Sequence, residues 1–480
     1  MSGISFNETN IPGSPVTIGG RIKDLDYKEY LDVKEIRRLD PFIQYSLISS
    51  SQAIKDASID SSINYSRVGV NFSSGIGGIS NIEKNHNLLN KYSYKKISPF
   101  FVPGSIINMA SGFISIRSGF TGPSMSTVTA CSAASHSIGM SARSIAYGDA
   151  DIMIAGGGEM SSTPLGIGGF IAARALSESS DPLTASRPWD KDRDGFVLSD
   201  GSASLVLEEY EHAVKRNVHI YGELIGFGMS SDAYHMTAPP ENGRGAATAM
   251  QEALKDAEID CSEINYINAH GTSTPLGDLA ESNAIKSIFT NTTPNISSTK
   301  SMTGHTLGAA GAIESIFSLL AIRDGVVPPT INLDNLDPNL QLEVLSQMDV
   351  KPDLVVLDTM NFWIESYREK LDEVISKVDV ISINDEEARQ ITQTHSLVEA
   401  AQKLHAMGPN YVIIKKGEHG ALLFFENEIF YAPALPLKAV FDPTGAGDTF
   451  AGGFAGFLAQ TEDFTFDNLK KAVIYGSALA

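Results

Sequence analysis

Short apolar segments alternate with small-residue helices and Gly-rich turns over residues 1–341 of this 480-residue chain, a pattern that predicts an α/β architecture with largely parallel sheets. Length points the same way, because 480 residues exceed what one ordinary core serves and call for two or more domains. The texture also changes beyond Pro328-Pro-Thr-Ile-Asn-Leu-Asp. The Ser/Gly/Ala-rich style gives way to Lys351-Pro-Asp-Leu-Val-Val-Leu-Asp and then to acidic helical segments. The expected division is 1–341 and 342–480, with no Gly/Ser linker between them.

Within the first unit the apolar runs at 151–155, 203–208, 266–269 and 296–299 read as strands, and 132–147, 243–257 and 308–324 read as helices. The helix at 132–147 carries Ala, Ser, Gly and Met at nearly every position, with Arg143 its one charged residue. That pattern predicts burial on all sides. Asp190-Lys-Asp-Arg-Asp-Gly starts like a calcium-binding loop, but Gly201 stands at the twelfth position, where a bidentate Glu is required. The segment reads instead as a charged turn entering a strand at 196–198. In the second unit, 411–415 reads as a strand.

Composition excludes several functions. With 57 acidic and 36 basic residues the net charge is -21, which argues against nucleic-acid binding and against an anionic membrane surface. An acidic protein partner needs a local basic patch. Only Cys131 and Cys261 are present, so neither a disulfide framework nor a multi-cysteine zinc site is expected, and no metal is assigned. Such cysteine usage fits a reducing cytoplasm. The first residues show no signal-peptide pattern, and no apolar run reaches membrane-spanning length.

Chemistry concentrates at three positions. Cys131, in Thr-Ala-Cys-Ser-Ala-Ala-Ser, falls at the start of the helix at 132–147. There, free N–H groups and the helix dipole are expected to lower the thiol pKa and to offer an oxyanion site. His270 lies in Asn-Ala-His-Gly-Thr-Ser-Thr-Pro and His305 in Thr-Gly-His-Thr-Leu-Gly-Ala-Ala-Gly, each expected just after a strand. An isolated cysteine is most often a small buried hydrophobe. Two glycine-rich histidine loops alongside a helix-capping thiol favour a nucleophile with two hydrogen-bond donors.

These segments, with Arg187-Pro-Trp-Asp-Lys-Asp-Arg-Asp-Gly-Phe-Val and Lys300-Ser-Met-Thr-Gly-His, resemble the elongating β-ketoacyl-acyl carrier protein synthases of the Cys-His-His type. The resemblance implies a thiolase-like layered αβαβα domain, incomplete here, and a decarboxylative Claisen condensation. In that reaction Cys131 carries the acyl group, while His270 and His305 stabilise the malonyl-derived enolate. It further implies that Lys300 shapes the field at the histidines, Glu314 supports their loop, and Thr272 and Thr274 meet the pantetheine arm. Lys34, Arg37, Arg38 and Arg174 match the region that docks acyl carrier protein. No cofactor and a homodimer are implied. Ser199-Asp-Gly stands where the family usually has Gly-Glu-Gly. The opening strand and a closing Gly-Phe-Gly-Gly-Thr-Asn loop of the family are not found, so the unit is expected to be truncated at both ends.

Asp442-Pro-Thr-Gly-Ala-Gly-Asp-Thr-Phe resembles the ribokinase-like (PfkB) carbohydrate kinases over about 342–480. The resemblance implies a partial ribokinase-like α/β domain lacking its N-terminal half. Gly445, Ala446 and Gly447 would cradle a phosphate, with Asp448 as base. Asn384 and Glu387 match an element acting on magnesium and phosphate, Lys415-Lys-Gly-Glu-His-Gly-Ala the nucleotide side, and Asp358 a strand-end aspartate. ATP and Mg2+ are the implied requirements of this part.

Overall fold

The computed structural model describes residues 3–6, 11, 13–340, 342, 344–346, 356–358, 364, 367–426, 428–434, 446–461 and 463–479. They form two compact units, Met1–Asp349 and Val350–Ala480. The first unit continues beyond 341 because Leu340 and Leu342 are buried against Trp189 and Ile296. Leu345 N–H also donates to Ile296 O over 2.8 Å.

The first unit opens with an antiparallel pair, β1 (Ile4–Phe6) and β2 (Ile18–Gly20). Helices α1 (Tyr27–Tyr30), α2 (Val33–Arg38) and α3 (Pro41–Asp56) follow. Each is capped by an aspartate, Asp26, Asp32 or Asp40, whose carboxylate accepts the first free N–H groups. Next come β3 (Val68–Ser73), α4 (Ile79–Lys91), α5 (Met109–Ser118), β4 (Ser124–Met125) and α6 (Ala133–Ala146). The chain continues through β5 (Ile152–Glu159), α7 (Pro164–Ala172), β6 (Gly201–Glu208), α8 (Tyr210–Arg216) and α9 (Arg244–Ala257). It closes with β7 (Tyr266–Asn268), α10 (Pro275–Ile288), β8 (Asn295–Ser297), α11 (Lys300–Thr303) and α12 (Ala310–Asp324).

The main sheet runs β4-β3-β5-β6, with β3 parallel to β4 and β5, and β6 antiparallel to β5. Every residue of β3 and β5 is buried, as a central strand covered on both faces requires. On one face, Phe42, Ile43 and Leu47 of α3 and Ile114 of α5 pack on Val68, Val70, Phe72 and Ile154. On the other, Ala134 and Ile138 of α6 and Ala312 of α12 meet Ala155 and Ala203. Burying each large apolar side chain contributes about 1.5–3 kcal/mol. A second, parallel pair joins β7 to β8, and Leu279 and Ile285 of α10 and Met250 of α9 pack on Ile267 and Ile296. Asn268 Nδ2 donates to Glu314 O over 3.5 Å, tying β7 to α12. The result is α/β/α/β/α layering around α6 and α12.

The predicted elements form with shifted ends. β5 and β6 are longer than their apolar cores, because their Gly and Ser residues continue the ladder from Ile152↔Glu208 to Glu159↔Gly201. The helix at 132–147 is not buried on all sides: Ser132 and Ser135 are exposed, and its buried face is Ala133, Ala134, Ser137, Ile138, Ser141 and Ser144. The strand expected at 196–198 reduces to isolated bridges, Leu176↔Phe196 and Leu198↔His305.

The second unit is a five-stranded sheet ordered β13-β12-β11-β10-β9. Its strands are β9 (Val356–Asp358), β10 (Val380–Asn384), β11 (Tyr411–Lys415), β12 (Ala421–Phe425) and β13 (Glu428–Ala432). The first three are parallel and the last two antiparallel. Helix residues Leu371, Ile375, Ala388, Ile391, Ala401 and Leu404 cover one face, and Phe450, Phe454, Leu458, Leu469 and Val473 the other.

Candidate active site

Three separate elements bring their functional atoms to one point. Cys131 sits in a 3-10 turn, Ala130–Ser132, that runs directly into α6. Ala130 precedes it with φ 52°, a left-handed conformation that costs a non-glycine residue about 1–2 kcal/mol and turns the thiol toward the site. His270 lies two residues beyond β7. His305 does not directly follow a strand, because α11 is inserted between it and β8.

His305 Nε2 stands 3.0 Å from Cys131 Sγ. One ligand-type atom from each of Cys131, His270 and His305 falls within 4.8 Å of the others. The two imidazoles meet edge to face, centroids 5.2 Å apart, and Phe196 closes the far side of His305 at 5.3 Å. His305 N–H donates to Val197 O over 2.7 Å, and His305 O accepts from Ser199 N–H over 3.0 Å. Gly304, at φ 68°, makes this pass possible: a Cβ there would lie 2.1 Å from Ser199 Oγ.

Two carboxylates that no sequence pattern signalled hold the loops. Glu281 of α10 accepts the His270 and Gly271 N–H groups, both over 2.7 Å. Glu159, fully buried at the end of β5, accepts Gly75 N–H over 2.5 Å, Ile76 N–H over 3.2 Å and Gly308 N–H over 3.1 Å. Glu159 lies far along the chain from the amides it serves, whereas Glu281 reaches back one helix-and-turn to its own.

Lys300, at 1% exposure, forms an ion pair with Glu314 of α12. Glu314 therefore meets Lys300 within the protein wall. Thr272 and Thr274 place their hydroxyls 3.0 Å apart, and Thr274 stands at the N-cap position of α10 without a side-chain capping bond.

Burial governs the electrostatics. It pushes the Cys131 thiol above its ordinary range. Lys300 pulls the other way, Glu159 and Glu314 push with burial, and the residue's own N–H lowers it slightly. The lowering expected from the helix start is thus outweighed by desolvation. His270 is exposed by its surface area yet densely surrounded by protein atoms. That desolvation, with Lys300 second, takes it down to about 3. His305 is lowered by burial, then by His270 and Lys300. Both rings are neutral at physiological pH and can donate one N–H each. Burial also raises Glu159, Glu281 and Glu314.

Lys34, Arg37 and Arg38 are exposed on α2, and Arg38 stacks 4.1 Å from the centre of the half-exposed Phe100 ring. Arg174 is exposed just after α7, at φ 54°. Asp190, in the charged turn, accepts N–H groups from Asp192, Asp334 and Asn335, so its carboxylate is used by backbone. Asp200 is likewise buried and accepts from Ser161 and Ser162.

In the second unit Asn384 and Glu387 form a reciprocal capping box: Glu387 N–H donates to Asn384 Oδ1 over 2.8 Å, and Asn384 N–H to Glu387 Oε2 over 2.9 Å. Their carbonyl and carboxylate oxygens thus serve the helix's own backbone. Asp358, the last residue of β9, pairs with Lys415 Nζ over 2.7 Å. A Cβ at Gly447 would lie 3.3 Å from that same Nζ. Ala446 and Gly447 begin the helix Ala446–Thr461. Gly445 and the side chains of Ala446 and Asp448 fall outside the described residues.

Comparison with known proteins places this geometry. The N-terminal domain of the β-ketoacyl synthases matches residues 8–213, and their C-terminal domain matches 221–334. A phosphomethylpyrimidine kinase family matches 283–477. Its first part, through α12, is in the layered unit. The 3-oxoacyl-[acyl-carrier-protein] synthase 2 of Coxiella burnetii is 52% identical over 354 residues, covering 72% of this chain and 86% of that protein. The Vibrio harveyi protein of the same name is 49% identical, covering 73% and 85%. Among solved structures, a β-ketoacyl synthase from Burkholderia phymatum superposes with a TM-score of 0.67 at 32% identity, covering 72% of this chain and 86% of that one. A ketosynthase bound to a hexaketide, in complex with its type II PKS acyl-carrier protein, gives 0.65 at 35% identity, covering 72% and 85%. Across the unit that assembles Cys131, His270 and His305, this chain belongs to the β-ketoacyl synthase family.

Proposed function

We propose that the first unit is a 3-oxoacyl-acyl carrier protein synthase of fatty-acid elongation, working through an acyl-Cys131 thioester. The observation that carries this reading is the 3.0 Å approach of His305 Nε2 to Cys131 Sγ, with the His270 ring beside it. In the first half-reaction the Cys131 thiol gives its proton to solvent as its sulfur attacks the acyl-ACP carbonyl, the acyl–sulfur bond to the carrier breaks, and the carrier sulfur takes a proton back. In the second, malonyl-ACP loses carbon dioxide and the electron pair moves onto its thioester oxygen. Neutral His270 and His305 donate N–H bonds to that oxygen. The enolate carbon then attacks the acyl-Cys131 carbonyl, releasing 3-oxoacyl-ACP and the Cys131 thiolate.

This chemistry uses no cofactor. Lys300 and Glu314 position the histidines, and Thr272 and Thr274 line the pantetheine path. The carrier protein is acidic in this reading, so Lys34, Arg37, Arg38 and Arg174 supply its local basic contact on a chain of net charge -21. The ketosynthase solved with its acyl-carrier protein supports that partner. A homodimer in the cytoplasm completes the reading. Among the described residues no helix is long and apolar enough to cross a membrane.

Cerulenin tests the nucleophile. Stoichiometric labelling of Cys131, abolished in Cys131→Ala, is expected; labelling at Cys261 instead refutes the assignment. A second reading, phosphoryl transfer from ATP with Mg2+ by the second unit, is favoured by the family match over 283–477 and by Lys415 beside Gly447. Binding of ATP by the full chain, measured calorimetrically, decides it.

A further inference from the structure

We propose that Cys131, His270 and His305 also form a three-ligand Zn2+ site whose occupation reversibly shuts off the nucleophile. Their sulfur and two nitrogens all lie within 4.8 Å of one another, and the sulfur is already 3.0 Å from His305 Nε2. Tetrahedral zinc with Zn–S of about 2.3 Å and Zn–N of about 2.0–2.1 Å needs ligand edges of roughly 3.3–3.6 Å. The three atoms thus reach that geometry by shifts of about an ångström, within side-chain rotation. One sulfur and two imidazole nitrogens are a donor set that suits zinc, and three protein ligands leave a fourth position open to water.

The surroundings favour a divalent ion. Glu159 and Glu281 hold the loops around the site, and Glu314 pairs with the buried cation Lys300. His270 is an exposed residue, which gives the ion a way in. The ligands sit on firm supports: the His270 backbone is held by Glu281, and the His305 ring lies between His270 and Phe196.

One feature marks the site as reversible. His305 Nδ1 is buried and has no hydrogen-bond partner among the described residues. Zinc-ligating histidines ordinarily donate that second N–H to an acceptor, and lacking one weakens binding by about 10–100-fold. Binding exchanges the Cys131 S–H proton for the metal: the proton leaves to solvent, a Zn–S bond forms, and nothing is oxidised or reduced. Coordination draws electron density from the sulfur, and the ion occupies the space an acyl carbonyl must enter, so the thiol no longer forms a thioester. The sequence conceals this site because positions 131, 270 and 305 have no metal-ligand spacing. The inference does not rest on acyl transfer, since the three ligands would hold the ion whatever reaction the thiol performs.

Cobalt(II) substitution tests it on the purified full chain. One equivalent of Co2+ is expected to give intense visible bands and a near-ultraviolet sulfur-to-cobalt band, displaced by Zn2+ and absent in Cys131→Ser. Independently, about 10 μM Zn2+ is expected to slow iodoacetamide labelling of Cys131 by at least about tenfold, reversed by EDTA, with Cys261 labelling as the internal reference. A cobalt spectrum without these bands, bands that persist in Cys131→Ser, or Cys131 labelling indifferent to Zn2+ overturns the proposal.

Discussion

Replacing Lys300 by Met removes the cation that pairs with Glu314 inside the first unit, where Lys300 is 1% exposed. The carboxylate then sits unpaired among atoms that already push its pKa up by desolvation. Breaking a buried pair from one side costs about 3–5 kcal/mol. Unfolding entropy near the midpoint is about 2.1 cal/mol/K per residue, so the 349 residues of Met1–Asp349 give about 0.73 kcal/mol/K. The midpoint of that unit should therefore fall by about 4–7 °C, read by scanning calorimetry. The double variant Lys300→Met/Glu314→Leu replaces the pair with apolar groups of similar volume and should recover most of the loss. A single variant within about 1 °C of the parent, or a double variant no better than the single, refutes the reasoning.

Burial takes His270 down to about 3, so its ring keeps one charge state and one N–H donor between pH 5 and 8. Malonyl-ACP decarboxylation by Cys131→Ala protein, followed as carbon dioxide release, should be flat across that range; a limb near pH 6.5 contradicts the desolvated rings. Gly308→Ala puts a Cβ 2.1 Å from Gly75 N and 2.8 Å from Glu159 Oε2. The variant should lose about 1–3 kcal/mol of stability in urea unfolding and lose Cys131 labelling with it. Arg37→Glu with Arg38→Glu should weaken carrier-protein binding about tenfold or more by calorimetry, while self-acylation from a small acyl thioester is unchanged. Unchanged affinity removes α2 from the docking surface.

The thiol and both histidines were legible because each sits in a run of small residues that lets loops approach closely, as Gly304 and Gly308 show at 2.1 Å. The α/β layering was legible from apolar runs, but not its ends, since glycine and serine extend β5 and β6 through ladder bonds that no local pattern reveals. Glu159 and Glu281 were invisible for a related reason. Glu159 accepts amides from distant loops and Glu281 from the loop before its own helix, and a lone acidic residue in a helix or strand carries no mark of either task. The thiol pKa was misjudged in direction because the helix start can be read from sequence, whereas the depth of burial cannot. Asn384 and Glu387 show how one spacing fits a ligand motif and a capping box alike, and the fold displays the capping box.

In the proposed reaction Cys131 passes an acyl group to a malonyl-derived enolate held by His270 and His305. Single-turnover mass spectrometry on the purified full chain tests it most directly. Acyl-ACP should add one acyl mass at Cys131, and malonyl-ACP should then discharge it as one equivalent of 3-oxoacyl-ACP, with His270→Ala and His305→Ala retaining the acyl mass. An acyl mass that never forms on Cys131, or that forms and is discharged equally well without both histidines, contradicts the account.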